Sequence, residues 1–188
     1  MQPTVVELLS KSSAEVNDYL GGIYEHSPWV AASLCANKIR SRDDYRTVSQ
    51  LAAAMKDIVE DSSYEKKLEL LRAHPDLCEK VATLQTLTPE SQEEQSRSGL
   101  QSLTVDEMAC FTKWNTAYRT KCGFPFILAV RNATKQTVLA ALEGRVTNGA
   151  ETEFTIALQQ VHKIAWMRLL SKLNTDDAKG FLACHVLD

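Results

Sequence analysis

One apolar run, FPFILAV at residues 124–130, is the only stretch of this 188-residue chain that reads as a β-strand. A strand without a partner leaves its backbone N–H and C=O groups unpaired, so it cannot found a sheet. Every other patterned segment carries helix signals. "HSPWVAASLCANKI" offers Ser27 as an N-cap and Pro28 at the first helical position, where a missing N–H is harmless. "YRTVSQLAAAMKDIVED" places Val48, Leu51, Met55, Ile58 and Val59 at helical spacing. "SYEKKLELLRAH" is a further helix, and Pro75 then disfavours α geometry at His74, so that helix is expected to end there. "LTPESQEEQSRSGL" has a Thr88 cap, Pro89, an acidic first turn and a Gly99 stop. "LTVDEMACFTKWNTAYRTKCGF" runs from a Thr104 cap to a Gly123 stop, and "TKQTVLAALEGRV" and "ETEFTIALQQVHKIAWMRLLSKLN" complete the set. The expected fold is all-α: one domain over residues 1–174, an irregular bundle of about eight or nine helices, followed by a tail over 175–188.

Much chemistry is excluded by what the chain lacks. It has no glycine-rich phosphate loop, no GxSxG and no HExxH, which argues against Rossmann, P-loop and zincin enzymes. Its 21 basic and 24 acidic residues give a net charge of -3 without long blocks of either sign, against nucleic acid or an anionic membrane as partner. No run approaches the roughly 18 apolar residues of a membrane span. Cys35, Cys78, Cys110, Cys122 and Cys184 are odd in number and form no CxxC pair, which points to reduced thiols in a cytosolic compartment. The start "MQPTVVELLSKSSAEVNDYL" is not a signal peptide, and the end "CHVLD" lacks a peroxisomal address. His26 and His162 have no companion at metal-ligand spacing and His185 sits in the tail, so no metal is expected.

Four features carry polar chemistry. His74 stands where its helix must stop: as a cation it would suit the helix C-terminus, and as an imidazole it would suit proton transfer near neutral pH. Ser91, Glu94, Gln95 and Ser98 share one helical face, either a solvated stripe or a set of donors and acceptors for a small polar heterocycle. Pro125 holds the chain extended locally, so the backbone after it is either a buried connection or a row of groups for a ligand. Phe154, Ala157, Leu158, Val161, Ile164, Ala165 and Arg168 fall on one stripe that is apolar until the arginine. A guanidinium in that phase needs a carboxylate partner or a bound anion. Arg145, just before that helix, reads as an exposed C-terminal cation.

Taken together, "YEHSPWVA", "LLRAHPDL", "LTPESQEEQSRSGL", "NTAYRTKCGFPFI", "GRVTN…E" and "IAWMRLL" resemble the family of 2-oxo-4-hydroxy-4-carboxy-5-ureidoimidazoline (OHCU) decarboxylases. The resemblance spans roughly residues 20–173. It implies an all-α, cofactor-independent, homodimeric carboxy-lyase that forms (S)-allantoin in urate degradation. It assigns proton transfer to His74, with Glu94 as the carboxylate of the site. Pro75, Ser91, Gln92, Glu93 and Gln95 would contact the substrate, as would Phe126, Ile127, Leu128, Ala129 and Val130, largely through backbone groups, and Arg168. Cys122 departs from the family, which usually has an aromatic residue before this glycine. The missing peroxisomal address favours a bacterial cytoplasmic enzyme. Two other readings stay open on the residues alone: a hydrolase or isomerase of a related ureide such as 5-hydroxyisourate, and a non-enzymatic helical adaptor.

Overall fold

In a computed structural model, residues 2–36, 44–77, 102–131 and 133–174 are described. Among them are eight helices and no strand: α1 (Val5–Leu9), α2 (Ser13–Leu20), α3 (Trp29–Ala36), α4 (Val48–Glu60), α5 (Tyr64–Ala73), α6 (Val105–Cys122), α7 (Lys135–Arg145) and α8 (Ala150–Lys172). The expected helix over "LTPESQEEQSRSGL" lies outside the described residues, as does the 175–188 tail. The strand-like run 124–130 is neither strand nor helix. Five of its seven residues are buried for packing, which a period argument on a short run does not distinguish from sheet.

Helix starts are set by side chains. Thr4, Ser12, Thr47 and Thr104 each cap a helix in a reciprocal capping box, with Glu7, Glu15, Gln50 and Glu107 returning the bond. Such caps satisfy donors that the first turn leaves orphaned. α3 begins at Trp29, one residue later than Ser27 and Pro28 suggest, and Ser27 accepts from Val30 N through its carbonyl. α5 stops at Ala73, one residue before His74. α6 ends at Gly123, whose φ of 75° is the left-handed value a glycine C-cap takes readily.

The chain forms two compact units. The first comprises Met1–Tyr64 with Ile164–Asp188. Its core includes Leu8, Val16, Leu20, Ile23, Val30, Leu34, Leu51, Met55, Leu169 and Leu173. The end of α8 is tied to the N-terminus: Asn174 N donates to Pro3 O at 2.9 Å and Tyr19 Oη to Lys172 O at 2.5 Å. The second unit is Glu65–Lys163. It buries Leu70, Leu71, Phe111, Tyr118, Phe124, Phe126, Val138, Leu142 and Leu158. Tyr118 meets Phe126 and Phe124 edge-on, at centroid distances of 5.3 and 6.1 Å. No described helix is long and apolar enough to cross a membrane.

Candidate active site

His74 sits just past the end of α5 and is 7% exposed. Its backbone N–H donates to Leu71 O at 3.2 Å, closing the last turn. Its ring Nδ1 lies 3.3 Å from Leu70 O. A carbonyl only accepts, so Nδ1 carries the hydrogen, and in the neutral ring the lone pair resides on Nε2. That is the usual way to orient a histidine for proton transfer at its other nitrogen. Helix ending and ring orientation thus come from one local arrangement: Pro75 stops the helix and leaves the last carbonyls open to the ring.

The loop after His74 is pinned. Asp76, 6% exposed, accepts from Asn115 Nδ2 at 2.9 and 3.1 Å and pairs with Arg119 Nη1 at 3.0 Å. Arg119 is half-exposed, so solvent screens its share of the pair. Arg72, in the last turn of α5, returns a bond from Nε to Gly123 O at 3.0 Å. Two ties therefore run crosswise between the His74 loop and the end of α6. Sequence spacing gave no sign of Asp76 beyond its place in "HPDL". Asn115 and Arg119 are spaced i, i+4 on α6, a pattern equally typical of a solvated face.

Among the site residues expected from sequence, Phe126, Ile127 and Val130 are buried, while Pro75, Leu128 and Ala129 are half-buried. The N–H of Ala129 donates to Gln160 Oε1 at 3.1 Å, an internal partner. Ser91, Gln92, Glu93, Glu94 and Gln95 lie outside the described residues. Cys122 is half-buried, and burial raises the pKa of its thiol.

Arg168 belongs to the first unit and is 2% exposed. Of the two partners its phase allowed, the structure supplies the carboxylate: Nη2 lies 2.7 Å from Oε2 of the fully buried Glu25. Nη1 also donates to Gly22 O at 3.1 Å and Ile23 O at 3.4 Å.

Arg145 corrects an expectation. Its side chain is 12% exposed rather than a solvated cation. Nε and Nη2 bind Glu153 Oε2 at 3.0 and 2.8 Å, and Nη1 donates to Ile127 O at 2.8 Å. The reason is Glu153, eight residues on in the first turn of α8, which draws the arginine inward. Tyr118 Oη donates to the same Glu153 oxygen at 2.6 Å, and Asn148 Nδ2 to the other at 2.7 Å. Burial pushes the Glu153 carboxyl up, but bonds from Arg145, Tyr118 and Asn148 outweigh it and hold its pKa below the ordinary value. This is what the "GRVTN…E" pattern builds.

Comparison with known proteins gives one consistent answer. The family described as OHCU decarboxylase matches residues 10–170. The Haloferax volcanii 2-oxo-4-hydroxy-4-carboxy-5-ureidoimidazoline decarboxylase is 42% identical over 159 residues, covering 85% of this chain and 89% of that protein. The protein of the same name from Halalkalicoccus jeotgali is 40% identical, covering 88% and 89%. A crystal structure of (S)-allantoin synthase superposes with a TM-score of 0.76 at 57% identity, over 90% of this chain; the chain spans about half, 54%, of that one. With an all-α fold, the "HPDL" loop pinned at Asp76 and a family match over most of its length, the chain belongs to the OHCU decarboxylase family.

Proposed function

We propose that this chain is a carboxy-lyase that converts OHCU to (S)-allantoin in urate degradation without a cofactor. The observation that carries the reading is the buried imidazole of His74, oriented through Nδ1 on a loop that Asp76 pins, in a chain of this family. The substrate supplies its own electron sink. Its ring carbon bears a carboxylate and a hydroxyl beside a C=N bond. The C–CO2 bond breaks and CO2 leaves. The electron pair forms a C=C bond to the imine carbon, and the C=N pair moves to the ring nitrogen, which takes a proton. The hydroxyl then loses its proton to become a carbonyl, while the former imine carbon gains one on a single face. External electron sinks are the usual help for carbanions, and here the ring replaces them.

The protein's part is orientation and proton transfer. His74 handles the proton at the hydroxyl and carboxylate end. Glu94 bonds the hydroxyl or a ring N–H and orients His74. Ser91, Gln92, Glu93, Gln95, Pro75, Arg168 and the backbone of 126–130 hold the ring and ureido groups. For Glu94, its neighbours and Arg168, the support is the family resemblance. Residues 1–174 act as the catalytic domain of a cytoplasmic homodimer. The test is a circular dichroism time course on substrate generated in place from urate by excess upstream enzymes. Rapid growth of the (S)-allantoin signal is expected. A trace that follows the slow spontaneous racemic decay sinks the reading.

A further inference from the structure

Residues 125–130 run without helix, turn or sharp bend. Four of these six residues are buried. Buried backbone groups need partners, and this stretch has no ladder or helical turn to supply them. Val130 O accepts from Ala133 N at 2.9 Å, and side chains supply two more partners. Arg145 Nη1 donates to Ile127 O at 2.8 Å, and Gln160 Oε1 accepts from Ala129 N at 3.1 Å. In a near-extended chain the N–H and C=O of one residue point to the same edge, and alternate residues share that edge. Ile127 and Ala129 therefore face one edge, and Leu128 between them faces the other. Leu128 and Ala129 are also where the run becomes only half-buried.

Arg145 is held hard. Its guanidinium makes two bonds to the fully buried Glu153 and lies 4.5 Å from the Phe126 ring centroid. A buried ion pair is a poor source of stability, since apolar residues of like volume often do as well. Geometry is what this one adds. We propose that Arg145, held by Glu153, is a positioning residue: with Gln160 it commits one backbone edge of 125–130 to the protein and leaves the Leu128 N–H and C=O to the substrate. The identity of that substrate rests on the decarboxylase reading.

Two variants test this. Gln160→Met removes one tie. Tyr118→Phe with Glu153→Leu and Arg145→Met empties the polar cluster together, so that no buried charge is left alone and folding is preserved. KM and kcat are measured on OHCU generated in place, with thermal unfolding and amide hydrogen exchange alongside. Both variants should melt cooperatively near the wild type. KM should rise about tenfold with kcat changed much less, and amides within 126–130 should exchange about tenfold faster while those of α6 do not. Unchanged exchange, faster exchange with unchanged KM, or a loss confined to kcat each overturn the proposal. Should the triple variant fail to fold, Gln160→Met decides by the same readings. A wild-type chain that leaves OHCU to its spontaneous decay would refute the decarboxylase reading by itself. The exchange rates would still decide whether Arg145 and Gln160 fix the segment.

Discussion

His74→Asn separates the two roles the residue was open to. An asparagine places an amide N–H close to where Nδ1 stands, so the bond to Leu70 O at 3.3 Å can survive in altered form. What is lost is the imidazole's packing at a site 7% exposed, and its second nitrogen. The stability cost of a partly mismatched polar replacement there is about 1–2 kcal/mol. At about 2–4 °C per kcal/mol for a chain of this size, the melting point should fall by less than about 8 °C. Loss of general acid–base assistance is worth roughly 10²–10⁴ in rate, or about 3–5 kcal/mol of barrier. The catalytic penalty should exceed the folding penalty by a factor of about two or more. Thermal unfolding followed at 222 nm and kcat from the dichroism assay measure both on one preparation. A variant that keeps kcat within about tenfold of wild type, or that is unfolded at assay temperature, would refute the catalytic reading and leave His74 a helix terminator.

Asp76→Asn should lower kcat with only a few degrees lost in melting point, because Arg119 is half-exposed and the buried Asn115 contact is worth about 1 kcal/mol; equal kcat would mean that the tie does not orient His74. Gly123→Ala should cost about 1–2 kcal/mol in urea denaturation. The cause is its φ of 75°, since a Cβ there would meet Arg72 Nη2 at an ordinary 3.6 Å. Glu153 has a folded pKa below 4.5, so the stability it contributes is present above that value and lost as pH falls through the folded pKa. The urea midpoint should drop as pH falls below the ordinary carboxyl range and through the lowered folded value, less steeply in Glu153→Gln. Tyr24 and Tyr118 are shifted the other way, chiefly by burial. Their contribution is present below about pH 10 and lost as pH rises through the folded values, so both phenols should stay protonated in a 295 nm titration until the chain unfolds.

How much was legible in the sequence depended on whether the signal was local. Caps are local: Thr104 and Gly123 bound their helix as the sequence suggests, because each bonds within its own turn. Helical phase is nearly local too. Arg168 is buried as its stripe requires, and the need for a carboxylate is met by Glu25. That partner was unpredictable, since it lies on another segment far away in sequence. Arg145 was misread for the same reason. Position near a helix C-terminus favours a cation in solvent, but the buried Glu153 outweighs that weak preference. The run 124–130 shows the limit of pattern. Its composition records burial, and burial alone does not say whether the backbone will be paired by a ladder or by side chains.

That distinction is where fold and chemistry meet in this chain. A substrate that carries its own electron sink asks the protein mainly for placement, and part of the placement proposed here falls to segments that are not helical. Two such parts are at issue, the loop after His74 and the run 124–130, and α6 serves both within little more than one turn. Asn115 and Arg119 hold Asp76, Tyr118 holds Glu153, and Glu153 holds the arginine that fixes Ile127. Arg72 closes the circuit at Gly123. The spacing i, i+3, i+4 on one rigid helix therefore sets the relation between His74, the proposed proton-transfer group, and the backbone proposed to hold the ring. Loops alone would hold neither to the fraction of an ångström that orientation requires.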